Sequence, residues 1–193
     1  MKVALIPCGT THWHGEGRLL GRVELPLTEG GAQQCAQWAE QLHPLGIQRL
    51  LHAPDELAKQ TAACLARRLS VPAKSLEALV EVDVGLWAGL TETQLKSRFP
   101  SAHRQLCEAP LNVHPPGGED LSAAATRVNA CIRHQVHKNG EEAIGLVMRP
   151  FAFALARRAL ERSDPAQVWD TARAASGPIV IECGDTVAET AGD

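Results

Sequence analysis

Cys8 is a residue whose type could do covalent chemistry. It follows the apolar run Val3-Ala4-Leu5-Ile6 and Pro7, and with Gly9 it opens a glycine- and polar-rich loop. A thiolate can attack phosphorus, provided that a nearby cation lowers its pKa. Arg149, which follows another apolar run, is a cation that could do so. Glu81, if buried, could serve as a general acid. His12, His14 and His52, taken with Cys8 and Glu81, are of metal-ligating type. A zinc site wants about four ligands in tetrahedral array. His12 and His14 stand only two positions apart, and none of the six cysteines forms a Cys-x-x-Cys pair. Exposed loop histidines are the simpler reading, so neither a metal nor an organic cofactor is expected. His134 and His137 could share a helix face, but Gln135, Lys138 and Asn139 mark that face as wet.

The elements that must position these groups alternate between strand and helix. Residues 3–6 read as a buried strand. Thr28-Glu29-Gly30-Gly31 leads into a helix that Pro44 and Gly46 end near His43. Residues 47–51 give a second strand, stopped by Pro54. Leu57, Thr61, Cys64, Leu65 and Leu69 then fall at helical spacing over 55–69. Residues 79–82 read as a strand or an extended edge, followed by short helices over 91–98 and 102–108. The stretch "NVHPPGGED" is a turn-rich loop, after which Glu119 or Asp120 is expected to cap a helix running to Lys138. Residues 143–148 form another buried strand, Pro150 suits the first turn of a helix over 151–162, and 179–183 complete the sheet. This alternation predicts an α/β fold, a three-layer α/β/α sandwich with a mostly parallel sheet. Active sites in such folds lie at the carboxyl ends of the strands. The positions of interest are therefore Pro7-Cys8-Gly9, His52, Glu81 and Met148-Arg149-Pro150.

A chain of 193 residues without a long linker is expected to form a single domain, over 1–185, with a polar, frayed tail over 186–193. The 19 basic and 22 acidic residues leave a net charge of −3, which gives no electrostatic case for nucleic acid or an anionic membrane as partner. Arg67-Arg68 and Arg157-Arg158 read as solvated helix faces. No run is long and apolar enough for a membrane span or a signal peptide, so a cytoplasmic protein is expected. In that reducing setting Cys35, Cys64 and Cys131, set among helical residues, read as free thiols. Oligomeric state leaves no trace in the sequence.

Several segments, in order, resemble the histidine phosphatase superfamily, the phosphoglycerate mutase-like proteins. "GRLLGRVELPLTEGG" is similar to the family's GRxQGxxDxPLTExG segment, and "APDELAKQTA" to its SPLxRAxQTA helix start. "VEVDVGLWAGLTETQ" is similar to an E-x-x-x-G-x-W-E-G segment and "HPPGGEDL" to a PPGGES loop. "IGLVMRPFAFAL" stands where the family has a strand followed by Ser-His-Gly. The resemblance covers residues 2–183 and implies the phosphoglycerate mutase-like fold. It also implies what should stand at the catalytic positions. The family's Arg-His-Gly triplet, with its phosphate-binding Arg and nucleophilic His, falls on Pro7-Cys8-Gly9. A phosphate-binding Asn after Trp falls on His14, a second phosphate-binding Arg on Leu57, and the second His on Arg149. Glu81 alone matches, at the family's proton donor. Arg18, in the GR segment, borders the substrate mouth there.

Charge-assisted hydrogen bonds to phosphate are each worth about 1.5–3 kcal/mol, and loss of a nucleophile costs orders of magnitude in rate. The leading expectation is therefore a pseudophosphatase, a non-catalytic family member that binds a phosphorylated small molecule or a protein partner. Gly9, His14, Arg18 and His52 would be ligand contacts. The alternative is a phosphoesterase with altered chemistry: Cys8 as nucleophile, Glu81 as general acid and Arg149 as phosphate clamp. Cysteine-dependent phosphatases use Cys-x5-Arg; here the sixth residue after Cys8 is His14, a weak match, and a relic thiol is the plainer reading. The plainer readings of Glu81 and Trp87 are an acceptor of loop N–H groups and loop packing.

Overall fold

The structure is a computed structural model that describes residues 1–183. The expected tail over 186–193 lies outside the described residues. β1 (Lys2–Pro7) is buried from Val3 onward, as a strand covered on both faces must be. A single helical turn, α1 (His12–Gly15), follows its loop. α2 (Glu29–Leu42) starts where the Thr28 hydroxyl accepts from Gly31 N and runs into a 3₁₀ turn, His43–Leu45, that ends at Gly46 with φ of 62°. β2 (Arg49–His52) leads to Asp55, whose carboxylate accepts from Ala58 N at 3.0 Å and starts α3 (Glu56–Leu69). β3 (Ala73–Ser75) follows, then α4 (Glu92–Arg98) and α5 (Pro100–Glu108). The long helix α6 (Leu121–Asn139) precedes β4 (Ile144–Met148), α7 (Pro150–Glu161), α8 (Val168–Ala174) and β5 (Ile179–Glu182).

The sheet order is β3-β2-β4-β1-β5, parallel except for β5, which runs antiparallel to β1. α2 packs on α3 as one helical pair, and α6 and α8 pack on α7. The expected α/β architecture with a mostly parallel sheet is what forms. The register sets Pro7 beside Met148 and His52 beside Val147, so three strands end level with one another. Cys8, Ala53 and Arg149 are the first residues beyond that edge. Cys8 N donates to the Met148 carbonyl at 3.0 Å and Ala53 N to the Val147 carbonyl at 2.9 Å.

Three expectations need correction. Residues 79–82 are not a strand; Glu77–Leu79 is a 3₁₀ turn and the rest is loop. Leu79 and Val82 are fully buried there, which explains their apolar character. Arginine side chains satisfy the loop's carbonyls in place of a neighbouring strand: Arg127 donates to Ala78 and Val80, and Arg22 to Glu81. The strand on the outer side of β2 is β3, whose exposed Ala-Lys-Ser sequence carries no apolar signal. Finally, neither Glu119 nor Asp120 caps α6 through its side chain. Asp120 is the N-cap residue by position, but its carboxylate meets His114, while the Glu119 carboxylate binds Arg127 and Arg22.

Candidate functional site

Arg149 decides the character of the strand-end site. Its side chain is wholly buried, and four acceptors surround it. Nε donates to Asp55 Oδ1 at 2.8 Å, one terminal nitrogen donates to the carbonyls of Gly21 (2.9 Å) and Val23 (2.7 Å), and the other reaches Glu24 at 3.4 Å. A buried guanidinium needs this many partners, because desolvation is costly for an unpaired cation. Asp55 thus serves twice, as the cap of α3 and as the counter-ion of Arg149. Its second oxygen, Oδ2, is buried without a partner among the described residues.

Cys8 lies next to this pair and is 4% exposed. Burial pushes its thiol well above the ordinary range, and the negative charge of Asp55 adds to that effect. Arg149 pulls in the opposite direction without reversing the sum. Gly9 donates its N–H to the Thr61 hydroxyl at 3.1 Å. A Cβ on Gly9 would stand 2.5 Å from the Leu27 side chain, 3.0 Å from the Gly31 carbonyl and 3.1 Å from the Cys35 sulfur, so a side chain here would crowd its neighbours.

Glu81 is 1% exposed, and both of its oxygens are taken by backbone N–H groups. Oε1 accepts from Val82 (2.6 Å) and Ala152 (2.9 Å), and Oε2 from Phe151 (3.0 Å). The carboxylate therefore caps α7 from outside the helix, where orphan donors and the helix dipole favour an anion. Burial raises its pKa to about 7, while the three N–H groups and Arg149 restrain the rise.

His14 is half-buried in α1, and its Nδ1 accepts from Thr11 N at 3.0 Å. That bond places the imidazole proton on Nε2. Burial, and then Arg149, lower its pKa. His12 is exposed, as expected, but His52 is 8% exposed and its Nδ1 donates to the Ala53 carbonyl at 2.7 Å. The expectation of exposed loop histidines therefore fails for His52, because its position at the end of β2 buries it. Among the described residues no cluster of His, Cys, Asp and Glu is arranged to hold a metal ion.

A cleft of about 540 Å³ opens at this end of the sheet. His14, Arg18 and Glu81 line it, as do Glu92, Phe151, Trp169 and Arg173; Cys8, Gly9, His52 and Arg149 do not. Each arginine of the cleft already has a carboxylate: Arg18 pairs with Glu16 and Arg173 with Glu92. Arg18 also donates to the Gly89 carbonyl at 2.7 Å. Arg173 lies 5.5 Å over the Trp169 ring, and Phe151 packs on the same indole at 5.9 Å. Sequence reasoning missed Trp169 and Arg173 because it assigned no element to residues 163–178. The available signal was the helical spacing of Val168, Trp169 and Ala172, all buried in α8. Trp87 is fully buried against Phe99, the packing role expected of it.

A family model for the histidine phosphatase superfamily (branch 1) matches residues 3–188. The chain is similar to phosphoserine phosphatase 1 of Hydrogenobacter thermophilus, 22% identical over 88% of this chain and 80% of that protein. It is 29% identical to the probable phosphoglycerate mutase GpmB of Salmonella paratyphi B over 68% of this chain, and spans 61% of that relative's length. In three dimensions it resembles a mycobacterial glucosyl-3-phosphoglycerate phosphatase solved with VO3, with a TM-score of 0.80 at 20% identity over 97% of this chain and 93% of that one. No described helix is long and apolar enough to cross a membrane.

Proposed function

The chain belongs to the histidine phosphatase superfamily, and we propose that this member has given up phosphoryl transfer and acts as a binding protein, using the cleft beside the old site. The observation that carries the reading is the engagement of Arg149. A residue standing where the resemblance puts the family's second His could have clamped phosphate; instead its guanidinium is closed by Asp55, Glu24 and two carbonyls. Cys8 supplies no imidazole, Pro7 and Leu57 supply no charge, and the Cys8 thiol is driven toward its neutral form. The cleft offers three carboxylates and two arginines that are already paired, a poor cradle for a phosphate dianion. Its volume of about 540 Å³ suits a small organic ligand, which would meet the polar rim of Glu16, Arg18, Glu92 and Arg173 in front of the buried Phe151 and Trp169.

Thermal unfolding with inorganic phosphate, 3-phosphoglycerate and sugar phosphates, each beside its unphosphorylated counterpart, tests this. A ligand at ~100 times its Kd adds about 2.7 kcal/mol. The expected result is no stabilisation specific to the phosphate group. Stabilisation by inorganic phosphate that is lost in Arg149→Met would overturn the proposal.

One observation favours the second reading, a phosphoesterase built on Cys8, Glu81 and Arg149. Glu81 retains a pKa of about 7, suited to a general acid. Catalysis of that kind requires Arg149 to leave Asp55 for the substrate, and a Cys8→Ser change would abolish it.

A further inference from the structure

A second cluster of reactive groups lies away from the cleft, at the seam between α2 and α3. Cys64 on α3 is half-buried, and its sulfur stands 3.9 Å from the Ala32 carbonyl of α2, so the two helices approach closely there. One turn on, the exposed Arg68 brings a terminal nitrogen to 3.2 Å from the Cys64 sulfur. Cys35, one turn beyond Ala32 on α2, is fully buried, and the Cys64 thiol and the Thr61 hydroxyl stand near enough to act on it electrostatically. Thr61 in turn holds the N–H of Gly9, and the Cys35 sulfur lies against Gly9 itself. Three free thiols thus form a line from the surface to the strand-end loop: Cys64, Cys35 and Cys8.

We propose that Cys64 and Cys35 form a peroxide-sensitive thiol pair that closes to a disulfide across the α2–α3 seam. The Cys64 sulfur, beside the Arg68 guanidinium, gives up its proton and attacks one oxygen of a hydroperoxide. The O–O bond breaks, the alcohol or water leaves with a proton, and Cys64 becomes a sulfenic acid. The Cys35 sulfur then attacks the Cys64 sulfur, the S–O bond breaks, water leaves, and the S–S bond forms. Two thiols are oxidised to one disulfide, and the peroxide is reduced by two electrons. The partial exposure of Cys64 and the guanidinium beside it fit the first step. The burial of Cys35, which lifts its thiol to about 12, makes the second step slower.

Closure has a structural consequence. Drawing the Cys35 sulfur toward Cys64 takes it from Thr61, which anchors Gly9, and so transmits the event to the loop that carries Cys8. This line of contacts gives the seam a route to the site that does not depend on whether the site is catalytic.

The test is peptide mapping under non-reducing conditions after brief treatment of the full chain with hydrogen peroxide, with dimedone as a sulfenic acid trap. The expected result is a Cys35–Cys64 cross-linked peptide as the first disulfide. Cys64→Ser should remove it, and Arg68→Gln should slow its formation several-fold while the protein stays folded. Dimedone should label Cys64 in Cys35→Ala. Oxidation of exposed Cys107 ahead of Cys64, a Cys8–Cys35 disulfide in place of Cys35–Cys64, or an unchanged rate in Arg68→Gln would each overturn the proposal.

Discussion

Glu81 and His14 pull the stability of this protein in opposite directions as pH changes. Glu81 binds its proton more tightly in the folded chain, with a pKa of about 7 against an ordinary 4.5. Its contribution is therefore whole below pH 4.5 and is lost as pH rises toward 7, by an amount of order 3 kcal/mol. Urea unfolding of Glu81→Gln across pH 4.5–7.5 should show that decline removed, whatever constant cost the substitution adds. An identical slope in both proteins would show that Glu81 is not held in its buried cap. His14 behaves in the converse way. Its folded pKa lies below 6.5, so its contribution is present above 6.5 and is lost as pH falls. Protonating Nδ1 also removes the acceptor of the Thr11 N–H. His14→Gln should flatten the loss of stability on acidification below pH 6.5, as the same urea series would reveal. Neither behaviour could be read from the sequence, since both arise from burial and from donors that the fold alone brings near.

At the scale of elements, Asp55 ties the start of α3 to the end of β4. Asp55→Ala removes a helix cap and leaves the Arg149 cation buried without its main counter-ion. Breaking a buried pair from one side costs about 3–5 kcal/mol, well above the ~1 kcal/mol of a cap alone. Thr28→Ala, which removes the cap of α2 and a hydroxyl bond to the Thr10 carbonyl but breaks no ion pair, is the proper comparison in urea unfolding. Equal losses in the two variants would show that the Arg149 pair adds little. Gly85 is a second junction. Its φ is 49°, and an added Cβ would stand 2.2 Å from the Pro116 carbonyl. Gly85→Ala should lose about 1–3 kcal/mol for the backbone strain alone, measurable as a lower Tm, together with any cost of the overlap. The elements that sequence reasoning found, β1, β2, β4, β5 and α2 to α7, are those with apolar runs or periodicity and legible ends. The ones it missed follow a physical pattern. β3 is an exposed edge with no apolar face, and the apolar 79–82 segment is buried as a loop because Arg127 and Arg22, distant in sequence, satisfy its carbonyls. Such long-range side-chain bonds carry no local signature.

Over the whole molecule, the sheet brings Cys8 and Arg149 side by side through the β1–β4 pairing. The direction of Arg149 was not legible, because it depends on Asp55, Gly21, Val23 and Glu24, gathered from two other loops. Those contacts turn a candidate phosphate clamp into an internal ion pair and leave the open cleft to a different set of residues. Hydrolysis of an aryl phosphate by the purified protein, run beside Cys8→Ser, tests this most directly. Both proteins should match the buffer blank across pH 5–9. Turnover by the native chain that vanishes in Cys8→Ser would contradict the proposed loss of phosphoryl transfer.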